Sequence, residues 1–249
     1  KPQHLKSIET AALICGAEVK GLQPGSTEIM FSPLEIRGLN AVIDIGTAGS
    51  ISLLIQCIMP AASGSSDNFK LRISGGTDVA WSPSIDYLNN VTLPALSHMG
   101  YHARLKTIAR GYYPKGGGLV ELTIEPARPK GYDFIREDSP VSGISHASNL
   151  PEHVAQRQAE SAEKVLKEKG FDCEILLENN EYLSTGSGIN LWSGFMGSVS
   201  LGKKGLHAEK VGSRAAKEIA ASLLSGAAVD CHLADQLIPF MGLAGGGSF

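Results

Sequence analysis

A unit of secondary structure that recurs along the chain is the feature that most restricts its fold. The first copy is a helix pattern over residues 5–15 that ends at Gly16, followed by a strand over residues 17–20, a turn and a second strand. Two further helix patterns end at Gly100 and Gly170, and each is followed by strand-forming residues. This recurrence predicts a pseudo-symmetric fold. The alternative is that helix–Gly–strand recurs by chance in a chain of mixed class.

Helices that alternate with antiparallel hairpins predict an α+β fold, a two-layer sandwich of repeated helix and hairpin units. A proline-rich, charged stretch over residues 126–130 has the composition of a linker, and a more polar stretch with a charged helix at 160–169 follows it. We therefore predict a main domain over 1–130, a small inserted α/β domain over 131–207, and a return to the main domain over 208–249.

The overall composition excludes several classes of protein. Apolar residues make up 43% and charged residues 19% of the 249 residues, with a net charge of −3. A disordered chain would be less apolar and more charged, and a globally basic nucleic-acid binder would have the opposite sign. The composition leaves a local basic patch possible.

Cysteine usage and hydropathy indicate the cellular compartment of the protein. Cys15, Cys57, Cys173 and Cys231 are widely spaced, without the paired spacing of a zinc site. Reduced thiols of this kind are typical of a cytoplasmic protein. The longest apolar stretch, residues 51–62, is too short to span a membrane, so we expect no membrane partner.

Glycine is concentrated in four loops that lie where strands or helices end. They span residues 46–50, 75–78, 111–118 and 245–247. The first loop leads into a helix pattern, and a loop of this kind presents free N–H groups to phosphate. Four glycine loops in one chain suggest close approach of the backbone to an extended anionic ligand such as a nucleotide or a polynucleotide end. The first loop has neither the Walker A nor the GxGxxG pattern, and a plain turn is the alternative interpretation.

Three polar residues stand in or beside apolar helix patterns. Gln56 lies within the apolar stretch 51–59, while His232 and Asp235 open an apolar helix near the end of the chain. They are candidates for ligand binding. The alternatives are a core amide bonded to the backbone for Gln56, a surface histidine for His232 and a helix cap for Asp235.

Five sequence segments, in order along nearly the whole chain, resemble the RNA 3'-terminal phosphate cyclase family, and archaeal members in particular. They are IGTAGS at 45–50, SGGTD at 74–78, GYYPKGGG at 111–118, LADQL at 233–237 and the opening KPQHL at 1–5. The resemblance implies repeated two-helix, four-stranded units of βαβαββ type with a small inserted domain.

The resemblance also implies an activity, a nucleotide and a metal. Members of the family use ATP, with Mg²⁺ or Mn²⁺, to convert an RNA 3'-terminal phosphate into a 2',3'-cyclic phosphate. A histidine first becomes adenylylated, and AMP then passes to the RNA end. The expected partners are therefore ATP and RNA with a 3'-phosphate, and the oligomeric state is not predicted.

Site residues follow from the resemblance position by position. The residues matched to the ATP site are Gln56, Pro83, His232, Leu233, Ala234, Asp235 and Gln236. Gln3 and His4 match positions near the triphosphate or the RNA end. The family often has Tyr where this chain has His232.

Two elements of the family pattern have no match in this chain. They are the acidic, glycine-rich N-terminal motif and the nucleophilic histidine, which is expected beyond Phe249. No catalytic residue and no metal ligand is therefore assigned here. We expect these 249 residues by themselves to be inactive, as part of a longer enzyme.

Two other functions remain open. One is that of a non-catalytic relative that binds RNA or protein during ribosome assembly, against which Gln56 and the LADQL segment argue because they match nucleotide-site positions. The other is that of an enolpyruvate transferase, which shares this architecture, but the expected clusters of Lys and Arg at the loops are not evident.

Overall fold

The computed structural model of the protein describes residues 2–137 and 139–249, so Lys1 of the KPQHL segment lies outside the described residues. Its strands are β1 (Glu18–Lys20), β2 (Met30–Ser32), β3 (Asn40–Asp44), β4 (Phe69–Gly75), β5 (Ala103–Ala109), β6 (Gly118–Ile124), β7 (Val141–Ser148), β8 (Cys173–Asn180), β9 (Gly186–Ser193) and β10 (Met196–Leu201). Its helices are α1 (Pro2–Cys15), α2 (Ile51–Ala62), α3 (Ile85–Tyr87), α4 (Leu93–His98), α5 (His153–Glu168), α6 (Ala208–Leu224) and α7 (Cys231–Ala244). A π-helical turn, Leu88–Thr92, joins α3 to α4.

The first large sheet has the strand order β3-β4-β6-β5. β3 and β4 are parallel and are connected through α2, while β6 is antiparallel to both of its neighbours. The apolar face of α2 and alternate residues of β4 are buried in one core, for example Ile55 and Ile73. Helix α7 also contributes to this core through Leu233 and Leu237.

The second large sheet has the strand order β10-β9-β7-β8 and a core of its own. Parallel strands β7 and β8 are connected through α5, and α6 packs against both α5 and the sheet. Helices α5 and α6 cross closely at Gly212 of α6, where a Cβ atom would overlap the carbonyl oxygen of Gln158 in α5. Helix α6, which the sequence assigns to the main domain, therefore packs on the sheet of residues 141–201. The domain boundaries at 130 and 207 remain predictions.

The predicted α+β sandwich is confirmed. The three helices of the recurring unit end where glycine was expected to end them, with Gly16, Gly100 and Gly170 all at positive φ. The two large sheets share the parallel β–α–β crossover, but their strand orders differ, because the first strand is at the edge of one sheet and central in the other. No helix in the described ranges combines the length and apolarity needed to cross a membrane.

Candidate functional site

Three of the four glycine loops contact one another through their backbones. The N–H of Gly76 donates to the carbonyl of Gly49 at 2.8 Å, and the N–H of Ile51 donates to the carbonyl of Gly76 at 2.9 Å. The N–H of Thr77 donates to the carbonyl of Gly111 at 2.9 Å. The loops after β3, β4 and β5 therefore meet at the N-terminus of α2.

Close packing explains why glycine is needed there. A Cβ atom on Gly76 would lie 2.6 Å from the carbonyl oxygen of Ala48, and one on Gly111 would lie 2.5 Å from that of Gly75. The fourth loop contacts a different region, since a Cβ atom on Gly247 would lie 2.9 Å from the carbonyl oxygen of Tyr132.

Amides of the first loop and of the start of α2 are largely used within the chain. The acceptors are Asp44 for Gly46, Thr47 for Gly49, Gln3 for Ser50, Gly76 for Ile51 and the Ser50 hydroxyl for Leu53. The hydroxyl of Ser74 and the N–H of Gly46 also hold the pKa of the exposed Asp44 carboxyl below its usual value, which keeps a negative charge at the loop. Both observations favour the plain-turn interpretation of this loop over a phosphate cradle.

A short hydrogen-bond chain ties Gln3 and Pro83 to the start of α2. The Gln3 side-chain oxygen accepts from the N–H of Ser50 at 3.0 Å, and the hydroxyls of Ser50 and Ser52 are 2.8 Å apart. The Ser52 hydroxyl donates to the carbonyl of Pro83 at 2.6 Å. His4 follows Gln3 on α1 and is exposed.

Gln56 lies one helical turn after Ser52, on the same face of α2. Its Nε2 atom is buried and has no hydrogen-bond partner among the described residues. A buried donor without a partner costs free energy, so native proteins rarely retain one without a ligand or water to receive it. This observation argues against the core-amide interpretation of Gln56.

Helix α7 places the segment 232–236 beside the same region. It packs against α2 and against the π-helical turn, where the Thr92 hydroxyl donates to Oε1 of Gln236 at 2.7 Å. Leu233 is buried in the core, Ala234 and Gln236 are half-buried, and His232 and Asp235 are exposed. The residues matched to the ATP site thus lie on α2, on α7 and on the segment between β4 and α3.

The N-cap of α7 is Asp230, so Asp235, five residues later, does not have the capping role that the sequence left open for it. The Asp230 carboxylate accepts from the N–H groups of His232 and Leu233 at 2.8 and 3.0 Å. It also accepts from the Tyr87 hydroxyl and from the N–H of Gly197, both at 2.8 Å. An aspartate directly before an apolar helix pattern is the sequence signal that could have identified this cap.

A buried cluster of charged residues lies between the two large sheets. The Arg110 guanidinium, 2% exposed, lies 2.7 Å from a carboxylate oxygen of Asp86, 2.7 Å from Glu178 and 3.3 Å from Asp78. Arg110 follows β5 and Glu178 is in β8, so the cluster connects the two units. No sequence pattern predicts this cluster, because its charged residues come from α3, from β8 and from the segments after β4 and β5.

His146, in β7, lies against the same carboxylates. Its Nε2 atom is 3.4 Å from Oδ1 of Asp78, and its Nδ1 atom is 2.7 Å from the Tyr112 hydroxyl. Burial by itself raises the pKa of Asp78, but His146 and Arg110 outweigh it and hold that pKa well below its usual value. For Asp86 burial prevails, and its pKa is raised.

Donor atoms of Asp78, Asp86 and His146 lie within 4.8 Å of one another, which among the described residues is the one arrangement that could hold a metal ion. The Arg110 guanidinium already supplies a cation to both carboxylates. The cluster therefore does not fit a divalent ion, which would have to displace a buried, hydrogen-bonded arginine.

Together the fold and the site define an α+β protein in which nucleotide-site candidates surround one helix N-terminus. The family model described as "RTC: RNA 3'-terminal phosphate cyclase" matches residues 1–249. The chain belongs to the RNA 3'-terminal phosphate cyclase family.

Curated relatives named RNA 3'-terminal phosphate cyclase are similar to this chain over almost its whole length. The protein from Methanococcoides burtonii is 56% identical over 99% of this chain and 75% of its own length. Those from Methanosarcina mazei and Pyrococcus furiosus are 53% and 44% identical, over 100% and 99% of this chain and 77% and 74% of their own lengths. The family predicted from the sequence segments is confirmed.

Proposed function

We propose that the protein converts the 3'-terminal phosphate of an RNA into a 2',3'-cyclic phosphate and consumes ATP in doing so. The relatives' names support the cyclisation of RNA ends. The observation that carries the nucleotide part is the buried Nε2 atom of Gln56, which has no partner among the described residues. It lies on the face of α2 where Ser52 contacts Pro83.

The chemistry gives ATP a clear role, because a phosphate monoester has no good leaving group. In the proposed steps a histidine nitrogen attacks the α-phosphorus of ATP, and the bond to pyrophosphate breaks. AMP then passes to an oxygen of the RNA 3'-phosphate, which breaks the P–N bond. The 2'-oxygen of the RNA then attacks the phosphorus of the RNA 3'-phosphate and loses its proton. The P–O bond of the anhydride to AMP breaks, and AMP departs with its electron pair. No histidine of this chain is assigned as the nucleophile.

The residues around α2 supply binding groups rather than a nucleophile. Gln56 offers a donor for a phosphate or purine acceptor, and the exposed Asp235 carboxylate offers an acceptor for ribose hydroxyls. Gln236 offers the donor of its amide group, whose oxygen accepts from Thr92. His232, exposed at the start of α7, is available to stack on or bond to the base.

A divalent cation, Mg²⁺ or Mn²⁺, is proposed as a companion of the triphosphate. The buried Asp78, Asp86 and His146 group does not fit it, so we assign it no ligand in this chain and derive no step through it.

Replacing Gln56 with Met is expected to weaken ATP binding about tenfold to a hundredfold, the usual effect of losing a hydrogen bond to a charged acceptor. Thermal stability should stay the same or rise, because the variant no longer buries an unpartnered donor. Calorimetric titration with ATP and a thermal melt measure the two effects.

Cys57→Ser is the matched control, since Cys57 is the exposed neighbour of Gln56 on α2. It should leave ATP affinity unchanged. Equal ATP affinity in Gln56→Met and wild type would contradict the proposed site. Wild-type protein that binds RNA but not ATP would favour the non-catalytic RNA-binding alternative.

A further inference from the structure

Trp81 combines complete exposure with a strained backbone. Its side chain is 99% exposed and its φ is +68°. A bulky residue in the left-handed region is a genuine outlier, and such conformations persist where the surroundings enforce them, most often at functional sites. An exposed tryptophan also gains nothing from the core, so neither feature is explained by folding.

The segment that carries Trp81 is fixed on both sides. The hydroxyl of Ser82 donates to the carbonyl of Val79 at 3.0 Å, and the carbonyl of Pro83 accepts from Ser52 at 2.6 Å. The N–H of Ile85 donates to the carbonyl of Thr77 at 3.0 Å, which closes the loop. Trp81 is therefore presented to solvent by a rigid loop.

The loop lies beside the proposed nucleotide site and beside a second exposed aromatic residue. Trp81 is two residues from Pro83, which contacts α2 one turn before Gln56. The adjacent loop, whose Gly111 carbonyl accepts from the N–H of Thr77, carries Tyr113, 78% exposed. Lys115, exposed in the same loop, adds a positive charge.

We propose that Trp81, assisted by Tyr113, is a stacking platform for the unpaired bases at the 3' end of the substrate RNA. This inference rests on the proposed function and deepens it. Aromatic side chains stack on any base, so the platform would hold RNA ends of any sequence, and Lys115 would neutralise a backbone phosphate. Rigid presentation favours stacking, because little side-chain and loop entropy is lost on binding.

Fluorescence provides a direct test, because the chain contains two tryptophans, Trp81 and Trp192. In Trp192→Phe, Trp81 is the remaining indole, and stacking on a base quenches its emission. We expect a single-stranded oligonucleotide with a 3'-phosphate to quench this variant. The same oligonucleotide with abasic sugars at its last two positions should quench little and bind about tenfold or more weakly.

RNA binding by wild-type protein and Trp81 variants supplies the second measurement. The kinetics are measured in the full-length enzyme, because the 249 residues by themselves are expected to be inactive. Trp81→Ala should raise the Kd for labelled RNA and the KM for RNA about tenfold or more, with ATP affinity, kcat and melting temperature unchanged. Trp81→Phe, which keeps an aromatic ring, should retain most of the affinity. A protein-docking role for Trp81 would leave all RNA parameters of Trp81→Ala unchanged.

The outcomes separate this inference from the proposed function. If wild type cyclises RNA and Trp81→Ala does so with the same KM, or if abasic RNA binds and quenches as the intact RNA does, the stacking platform is wrong and the function stands. If RNA quenches Trp81 and abasic RNA does not, while the full-length enzyme consumes no ATP and forms no cyclic end, the platform stands and the function is wrong.

Discussion

Replacing Arg110 with Met is expected to lower the free energy of unfolding by about 3–5 kcal/mol, the usual cost of breaking a buried ion pair. Arg110 is 2% exposed and is the cation for the buried carboxylates of Asp78 and Asp86. Methionine keeps much of the side-chain volume but leaves both carboxylates without that cation. Urea unfolding followed by circular dichroism measures the loss.

The loss should depend on pH in a defined direction. In wild type the pKa of Asp78 is held below its unfolded value, so this group stabilises the fold above the unfolded pKa of about 3.9 and loses that effect as pH falls. Loss of the guanidinium raises the pKa of both carboxyls above their wild-type values, although His146 still faces Asp78. The native variant therefore holds these protons more tightly than native wild type does, and it loses stability relative to wild type as pH rises. The difference in stability between the two proteins should therefore widen from about pH 4 to about pH 7.

Arg104→Met is the matched control. Arg104 also pairs with a carboxylate, Glu125, at 2.6 Å, but it is exposed. A surface ion pair of this kind contributes about 0–1 kcal/mol, so the control should unfold nearly as wild type does. Similar losses in the two variants, or a loss in Arg110→Met that is constant with pH, would contradict the account of a buried charge cluster.

The second large effect is expected from Asp230→Ala, which should destabilise the protein by about 3–5 kcal/mol, the sum of a lost helix cap and of unpaired buried groups. Its carboxylate caps α7 through the N–H groups of His232 and Leu233. It also accepts from the buried Tyr87 hydroxyl and from the N–H of Gly197 in β10. The substitution leaves these donors without their acceptor, and thermal or urea unfolding reports the result.

Asp235→Ala is the control for this variant, because it changes the same residue type on the same helix at an exposed position. Its stability should stay within about 0.5 kcal/mol of wild type, as is usual for surface substitutions. If Asp235 contacts the nucleotide as proposed, this variant should lose ATP affinity in calorimetric titration while it remains folded. A destabilised Asp235→Ala with normal ATP affinity would reverse the roles assigned to the two aspartates.

Several features of the site could be anticipated from the sequence, but their arrangement could not. Gln56, Pro83 and residues 232–236 were identified by resemblance to the family. Their common location follows from contacts that no local pattern predicts, such as Ser52 with Pro83 and Thr92 with Gln236. These pairs are separated by 31 and 144 positions along the chain.

The glycine loops likewise could be found in the sequence, but their contacts could not be predicted from it. The sequence identified all four, and a ligand for their free amides was a reasonable hypothesis. In the structure three of them pack against one another, and most amides of the first loop have acceptors within the protein. Whether a glycine loop receives a ligand or another loop depends on what the fold brings beside it.

The sequence by itself determined the family, the α+β class and the ends of three helices, because these depend on motifs, on helical periodicity and on residues such as Gly16 that act through their own backbone. The tertiary structure alone decided that α6 packs on the second sheet, that Asp230 also accepts from Tyr87 and Gly197, and that Arg110 pairs with three carboxylates. A buried polar group must find a partner, but the choice of partner is a long-range contact. It exists only once the sheets, helices and loops have been assembled.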